Sequence, residues 1–112
     1  MPFAHTNIPQ GLLNIYSNNN VYGMSTNPYN PVFISGGSSG GEAVGVVTKC
    51  SAFGISSDTA GSSRIPAAFC GAVGFKPTGS KRLSTKGRIS VSGKAVNRLL
   101  FRVLLSKILI LH

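Results

Sequence analysis

Carboxylates are nearly missing from this chain of 112 residues: Glu42 and Asp58 are the only two, against eleven lysines and arginines, for a formal net charge of +9. Every basic residue except Lys49 lies from Arg64 onward, in a stretch without an acid. Such a segment suits an anionic partner, either nucleic acid or a lipid surface. The cations follow no helical stripe and no aromatic residues interleave with them, which disfavours nucleic acid. The preferred reading is a piece of a larger protein whose acidic partners lie elsewhere, with an anionic membrane surface and a homo-oligomer kept as expected partners. Tryptophan is absent, and Cys50 and Cys70 are the only cysteines. Two cysteines make no disulfide scaffold, and their spacing matches no zinc pattern. Both sit among apolar residues and read as buried free thiols in a reducing compartment. Cys70, within Ala67-Ala68-Phe69-Cys70-Gly71, is disfavoured as a nucleophile.

Histidine is scarce too. His5 and His112 lie at the chain ends and read as surface residues, a poor basis for a Ser-His-Asp triad. Met1 to Gln10 has neither the basic nor the apolar region of a signal peptide, so an intracellular location, cytoplasmic or membrane-associated, is expected. The apolar tail Leu99–Leu111 is interrupted by Arg102 and Lys107, and it is shorter than the ~20 residues a membrane span requires.

What the chain has is glycine, fourteen residues, with six prolines and a 42% hydrophobic fraction that permits a core. Residues 1–35 are rich in turn chemistry, as in Asn27-Pro28-Tyr29-Asn30-Pro31. Glu42 to Cys50 predicts a helix, with Glu42 in its first turn and Lys49 late, both complementing the helix dipole. Ala52–Ser56 and Ala72–Lys76 predict short strands, Arg64–Phe69 a short helix that tolerates Pro66 in its first turn, and Arg88–Val91 a further strand. Ala95–Leu111 reads as helix. The alternation predicts an α/β layer architecture.

Two segments carry chemistry: Gly36-Gly37-Ser38-Ser39-Gly40-Gly41-Glu42 and Ser57-Asp58-Thr59-Ala60-Gly61-Ser62-Ser63-Arg64. Each sets serines in a glycine-bearing turn, where a hydroxyl is presented and backbone N–H groups face a developing negative charge. Ser62, after Ala60-Gly61, is the best nucleophile candidate, and Ser38 or Ser39 would relay its proton. Asp58 has no histidine to orient, so its plainer role is to cap the following turn. The base is then a lysine, and Lys49 and Lys76 are the nearest in sequence, neither singled out by its surroundings. Phosphate binding at the first turn is the competing reading, but neither Gly-x-x-x-x-Gly-Lys-Ser/Thr nor a Gly-x-Gly-x-x-Gly after a clear strand is present. A flexible Gly-Ser linker leaves the apolar blocks after each turn unexplained.

These segments, with Ile65-Pro66-Ala67-Ala68-Phe69-Cys70-Gly71 and Gly74-Phe75-Lys76-Pro77-Thr78-Gly79, resemble the amidase signature family. Thr6-Asn7-Ile8-Pro9-Gln10, Glu42 and Lys81-Arg82-Leu83-Ser84-Thr85-Lys86-Gly87 make the chain look most like its fatty acid amide hydrolase branch. The resemblance implies the central part of that fold, a mixed sheet flanked by helices, in residues 1–94, followed by a divergent tail at 95–112. It implies hydrolysis of a small-molecule amide, by a Ser-Ser-Lys mechanism without metal or cofactor. Position by position it makes Ser62 the nucleophile, Ser38 the bridging serine, and Thr59, Ala60, Gly61 and Ser62 the oxyanion donors. Ser39 supports the site, and Arg64 is structural. A glutamine-hydrolysing amidotransferase component shares the signature. There are departures: Ser56-Ser57 replaces the usual Gly-Thr, Ala60 the first glycine of Gly-Gly-Ser, and Ser63 an isoleucine or valine. The family's lysine falls upstream of the segment matching Thr6–Gln10, so the chain reads as a fragment, inactive alone.

Overall fold

The computed structural model describes residues 3–76 and the backbone of residues 103–106. The first third is turn chemistry, as expected. Strands β1 (Asn18–Asn19) and β2 (Gly23–Met24) pair antiparallel, Asn18 opposite Met24. Asn19 closes the hairpin by accepting the N–H groups of Val21 and Tyr22 on its side-chain oxygen, and Asn27 and Asn30 make the same kind of turn to Tyr29 and Val32.

Helix α1 spans Gly40–Val47, with Glu42 in its first turn as the sequence predicts. It stops earlier than expected: Thr48 is its C-cap and Lys49 takes φ 64, a left-handed conformation that ends the helix. Lys49 therefore lies beyond the last turn, and Cys50 is carried into solvent, correcting its expected burial. Strand β3 (Gly54–Ser57) follows, and helix α2 (Arg64–Phe69) has the bounds predicted for it.

Two expected elements differ. Ala72–Lys76 forms no strand: Gly71, at φ 70, turns the chain back along α2, and Gly74 packs so tightly that a Cβ there would lie 2.8 Å from Ala67 Cβ. In the tail, Val103–Ser106 is not helix but strand β4, antiparallel to β3 with Ile55 opposite Leu105. The cause is the open edge of β3, whose backbone groups accept any extended apolar segment. The predicted strand at Arg88–Val91 and the rest of the tail lie outside the described residues. Among those residues no helix is long and apolar enough to cross a membrane.

The interior is small and largely hydroxylic. Val46, Pro66, Ala67, Ala43 and Cys70 pack against buried Ser17, Ser35, Ser38, Ser39, Ser56, Ser63 and Asp58. Buried hydroxyls and carboxylates need partners. Those partners are mostly the backbone of the two serine-bearing turns, so this core holds loops in place more than it joins layers.

Candidate active site

The two glycine-bearing turns meet. Ser39 N–H donates to the carbonyl of Ser62 at 3.1 Å, joining the loop before α1 to the loop before α2. The first loop is pressed between other backbones. A Cβ on Gly37 would lie 2.7 Å from the Tyr16 nitrogen and 2.8 Å from the Asn14 carbonyl oxygen, so only glycine fits there. These contacts set the segment apart from a linker. The peptide Gly37–Ser38 is cis.

Ser38 is almost fully buried and Ser39 nearly so, whereas Ser62 is half-buried. The most open of these three hydroxyls is thus that of Ser62. Ser62 sits where the sequence places it, after the turn at Gly61, whose φ is 128.

Asp58 organises that second turn. Its carboxylate accepts from the N–H groups of Gly61 (2.9 Å), Ser63 (3.2 Å) and Arg64 (3.2 Å). Arg64 grips it from outside through Nε at 2.9 Å and Nη2 at 3.0 Å. The expected turn cap is thus present, with a bidentate ion pair added. Burial of Asp58 pushes its pKa up, but the Arg64 side chain, followed by the backbone N–H groups of Arg64, Gly61 and Ser63, outweighs burial and holds it below the usual carboxylate range. Arg64 is raised in turn, first by its hydrogen bond to Asp58 and then by that residue's charge.

Of the four expected oxyanion donors, Gly61 directs its N–H at the Asp58 carboxylate. Two departures from the family pattern prove to be partners: the hydroxyls of Ser56 and Ser63 lie 2.5 Å apart in the buried floor of the turn, and Ser63 Oγ also donates to the Ser57 carbonyl at 3.2 Å.

Other candidates stand apart. Cys70 is buried, burial pushes its thiol pKa up, and its Sγ donates to the Ser35 carbonyl at 3.4 Å, an inert thiol rather than a nucleophile. His5 is exposed and borders an open hollow of about 500 Å³ with Thr6, Asn7, Ile8, Asn19, Tyr22, Met24 and Ser25, none of which is a serine of either turn. His112 lies outside the described residues. No group of metal-binding side chains occurs among the described residues.

The sequence reading missed three residues that hold the site. Ser17 bonds to the first loop at three places. Asn7 accepts the Gly41 N–H on its carbonyl and sends its amide to Ser17 and Gly23. Thr6 donates to Glu42, whose other oxygen accepts the Ile55 N–H, tying the N-terminal segment through α1 to β3. Thr6 and Asn7 stand in the Thr6–Gln10 segment that carries the family resemblance, without a role assigned to either, whereas Ser17 is an isolated serine in a turn-rich region.

The Amidase family model matches residues 1–98, and the chain belongs to the amidase signature family. It is 48% identical over 90 residues to a vitamin D3 hydroxylase-associated protein of Gallus gallus, covering 80% of this chain and 19% of the relative. It is 44% identical over 87 residues to fatty-acid amide hydrolase 1 of Sus scrofa, covering 78% and 15% respectively. A solved fatty acid amide hydrolase structure superposes with a TM-score of 0.68 at 46% identity, covering 75% of this chain and 15% of that one. A glutamyl-tRNA(Gln) amidotransferase component of Thermosynechococcus vestitus and indoleacetamide hydrolases also match. The matched part of the chain is thus a fragment of the amidase signature fold, and the chain spans a small share of the length of the curated relatives it matches.

Proposed function

We propose that this chain carries the serine pair of an amide hydrolase acting on a long-chain carboxylic amide. Ser62 Oγ attacks the amide carbonyl, and its proton passes through Ser38 to a lysine base supplied by the remainder of the family's fold. The same route returns a proton to the departing amine. The oxyanion is received by the N–H groups of Thr59, Ala60 and Ser62. The observation that carries this reading is the Ser39-to-Ser62 bond, which holds the loop of the relaying serine against the loop of the nucleophile. The acyl preference is argued from relatives named as fatty-acid amide hydrolases in two animals.

The alternative is glutamine hydrolysis within an amidotransferase, favoured by the match to such a protein. A further reading is a chain that associates with other chains or with anionic surfaces and does no chemistry. The test places the matched region of this chain into the pig enzyme in place of its own 87-residue segment. The chimera is offered a long-chain primary amide and glutamine in competition. Preferential hydrolysis of the long-chain amide is expected. Preference for glutamine would move the assignment to the amidotransferase class, and no turnover of either would support the non-catalytic reading.

A further inference from the structure

Ser17 is a fully buried serine whose hydroxyl stands between the two ends of the Gly36–Gly40 loop. It accepts the Gly40 N–H at 2.7 Å and lies within donating distance of the Ser38 carbonyl at 2.9 Å and the Gly36 carbonyl at 3.1 Å. A serine hydroxyl has one proton and two lone pairs, so the proton is shared between the carbonyls while the oxygen holds Gly40. Gly40 opens α1, and its N–H is one of the donors a helix start leaves without an internal partner. Ser39, the N-cap residue, makes no side-chain cap. Ser17 supplies it from a distant segment, and the oxygen that starts the helix also holds the backbone of Ser38.

The seat is tight. A Cβ on Gly40 would collide with Ser35 Oγ and come within 2.6 Å of Ser17 Oγ, so helix and hydroxyl approach as only glycine permits. Asn7 steadies Ser17 from behind, its amide donating to the Ser17 carbonyl at 3.3 Å.

We infer that Ser17 is a positioning residue for Ser38, fixing the loop so that the Ser38 hydroxyl is held in its relaying place. This rests on the reading of Ser38 as the relaying serine. Ser17 itself touches no reacting atom in that scheme, since its bonds go to backbone groups of the loop.

The test has two arms. In the 112-residue chain, amide exchange at Gly40 is followed by NMR in the parent and in Ser17→Ala. Loss of one buried hydrogen bond corresponds to exchange about fivefold faster at Gly40, with the amides of Gly61 and Ser63 unchanged. Unaltered exchange at Gly40 overturns the clip. In the pig-enzyme chimera, Ser17→Ala is compared with Ser35→Ala, an equally buried serine that packs against Gly40 but whose hydroxyl bonds go to the Ser25 and Gly36 carbonyls rather than to Ser38 or Gly40. Ser17→Ala is expected to lower kcat about 10-fold to 100-fold, the scale of a small misplacement of a reacting group, with KM within about twofold and a milder kcat loss in Ser35→Ala. Equal kcat losses in the two variants, or an unchanged kcat in Ser17→Ala, overturn the positioning role. If the chimera with Ser17 intact hydrolyses no amide while the pig enzyme does, the proposed function fails, and the exchange arm still decides whether the clip exists.

Discussion

The backbone N–H of Ser39 donates to the carbonyl of Ser62 at 3.1 Å, so the residue after the buried serine and the candidate nucleophile share one hydrogen bond. A change in either loop is transmitted to the other through it. Ser38→Ala in the active chimera is therefore expected to slow acylation by ~10²–10⁴-fold, the usual worth of a positioned proton relay, with KM little changed. Pre-steady-state kinetics checks this, and an unaltered acylation rate removes Ser38 from the relay.

Asp58→Ala leaves three backbone N–H groups without their carboxylate and frees Arg64. The loss is expected to be about 2–4 kcal/mol, mostly from the buried donors, since Arg64 is half exposed and its ion pair is screened. Urea unfolding measures it. Arg64→Gln, which keeps the backbone donors satisfied, is expected to cost clearly less than Asp58→Ala.

The same pair gives a pH dependence. Because the folded state holds the Asp58 pKa below its unfolded value, the folded protein binds that proton less tightly than the unfolded chain. The stabilisation is whole at neutral pH and is lost as acid titrates the group through its lowered folded pKa. Melting followed from neutral pH into the acid range should show a falling limb that flattens in Asp58→Asn. A limb of equal steepness in the variant would assign the acid sensitivity elsewhere.

Gly37→Ala puts a methyl within 2.7 Å of the Tyr16 nitrogen. Overpacking against backbone costs about 1–3 kcal/mol, and the displaced loop should also lower kcat in the chimera. Wild-type stability and activity in this variant would contradict the packing described for the first turn.

The readable parts of this chain are those with local causes. Helix α2 follows from a turn that ends at Ser63 and a proline tolerated in the first turn, and its bounds match the expectation. Asp58 as a turn cap follows from its place just before the glycine-bearing turn. The unread parts depend on distant partners. Ser17, Asn7 and Thr6 work through backbone or carboxylate groups far along the chain, and the Thr6–Gln10 motif marks the family without naming those partners. The apolar tail is a run without a strong period, and the free edge of β3 decides it as strand at Val103–Ser106. The bond from the Gly61 N–H to Asp58 is visible only once the turn is folded.

By itself the 112-residue chain is expected to show no measurable amide hydrolysis. The lysines among its described residues are Lys49, exposed just past the end of α1, and Lys76, beyond α2. Neither belongs to a serine turn, and Ser62 without a base stays a weak nucleophile. It is also expected to self-associate, because Leu13, Val21, Tyr22, Tyr29, Val32 and Phe33 are exposed on a small body. Sedimentation checks the second expectation. Turnover of an aryl amide that is lost in Ser62→Ala would overturn the first and make Lys49 and Lys76 the bases to examine.

The most direct test of the central claim is to find which residue becomes acylated. The chimera carrying this chain's serine turns is treated with a fluorophosphonate probe, digested, and the adduct is located by mass spectrometry. The account predicts modification at Ser62, abolished in Ser62→Ala and slowed in Ser38→Ala. An adduct on another serine, with Ser62 unmodified, would contradict it.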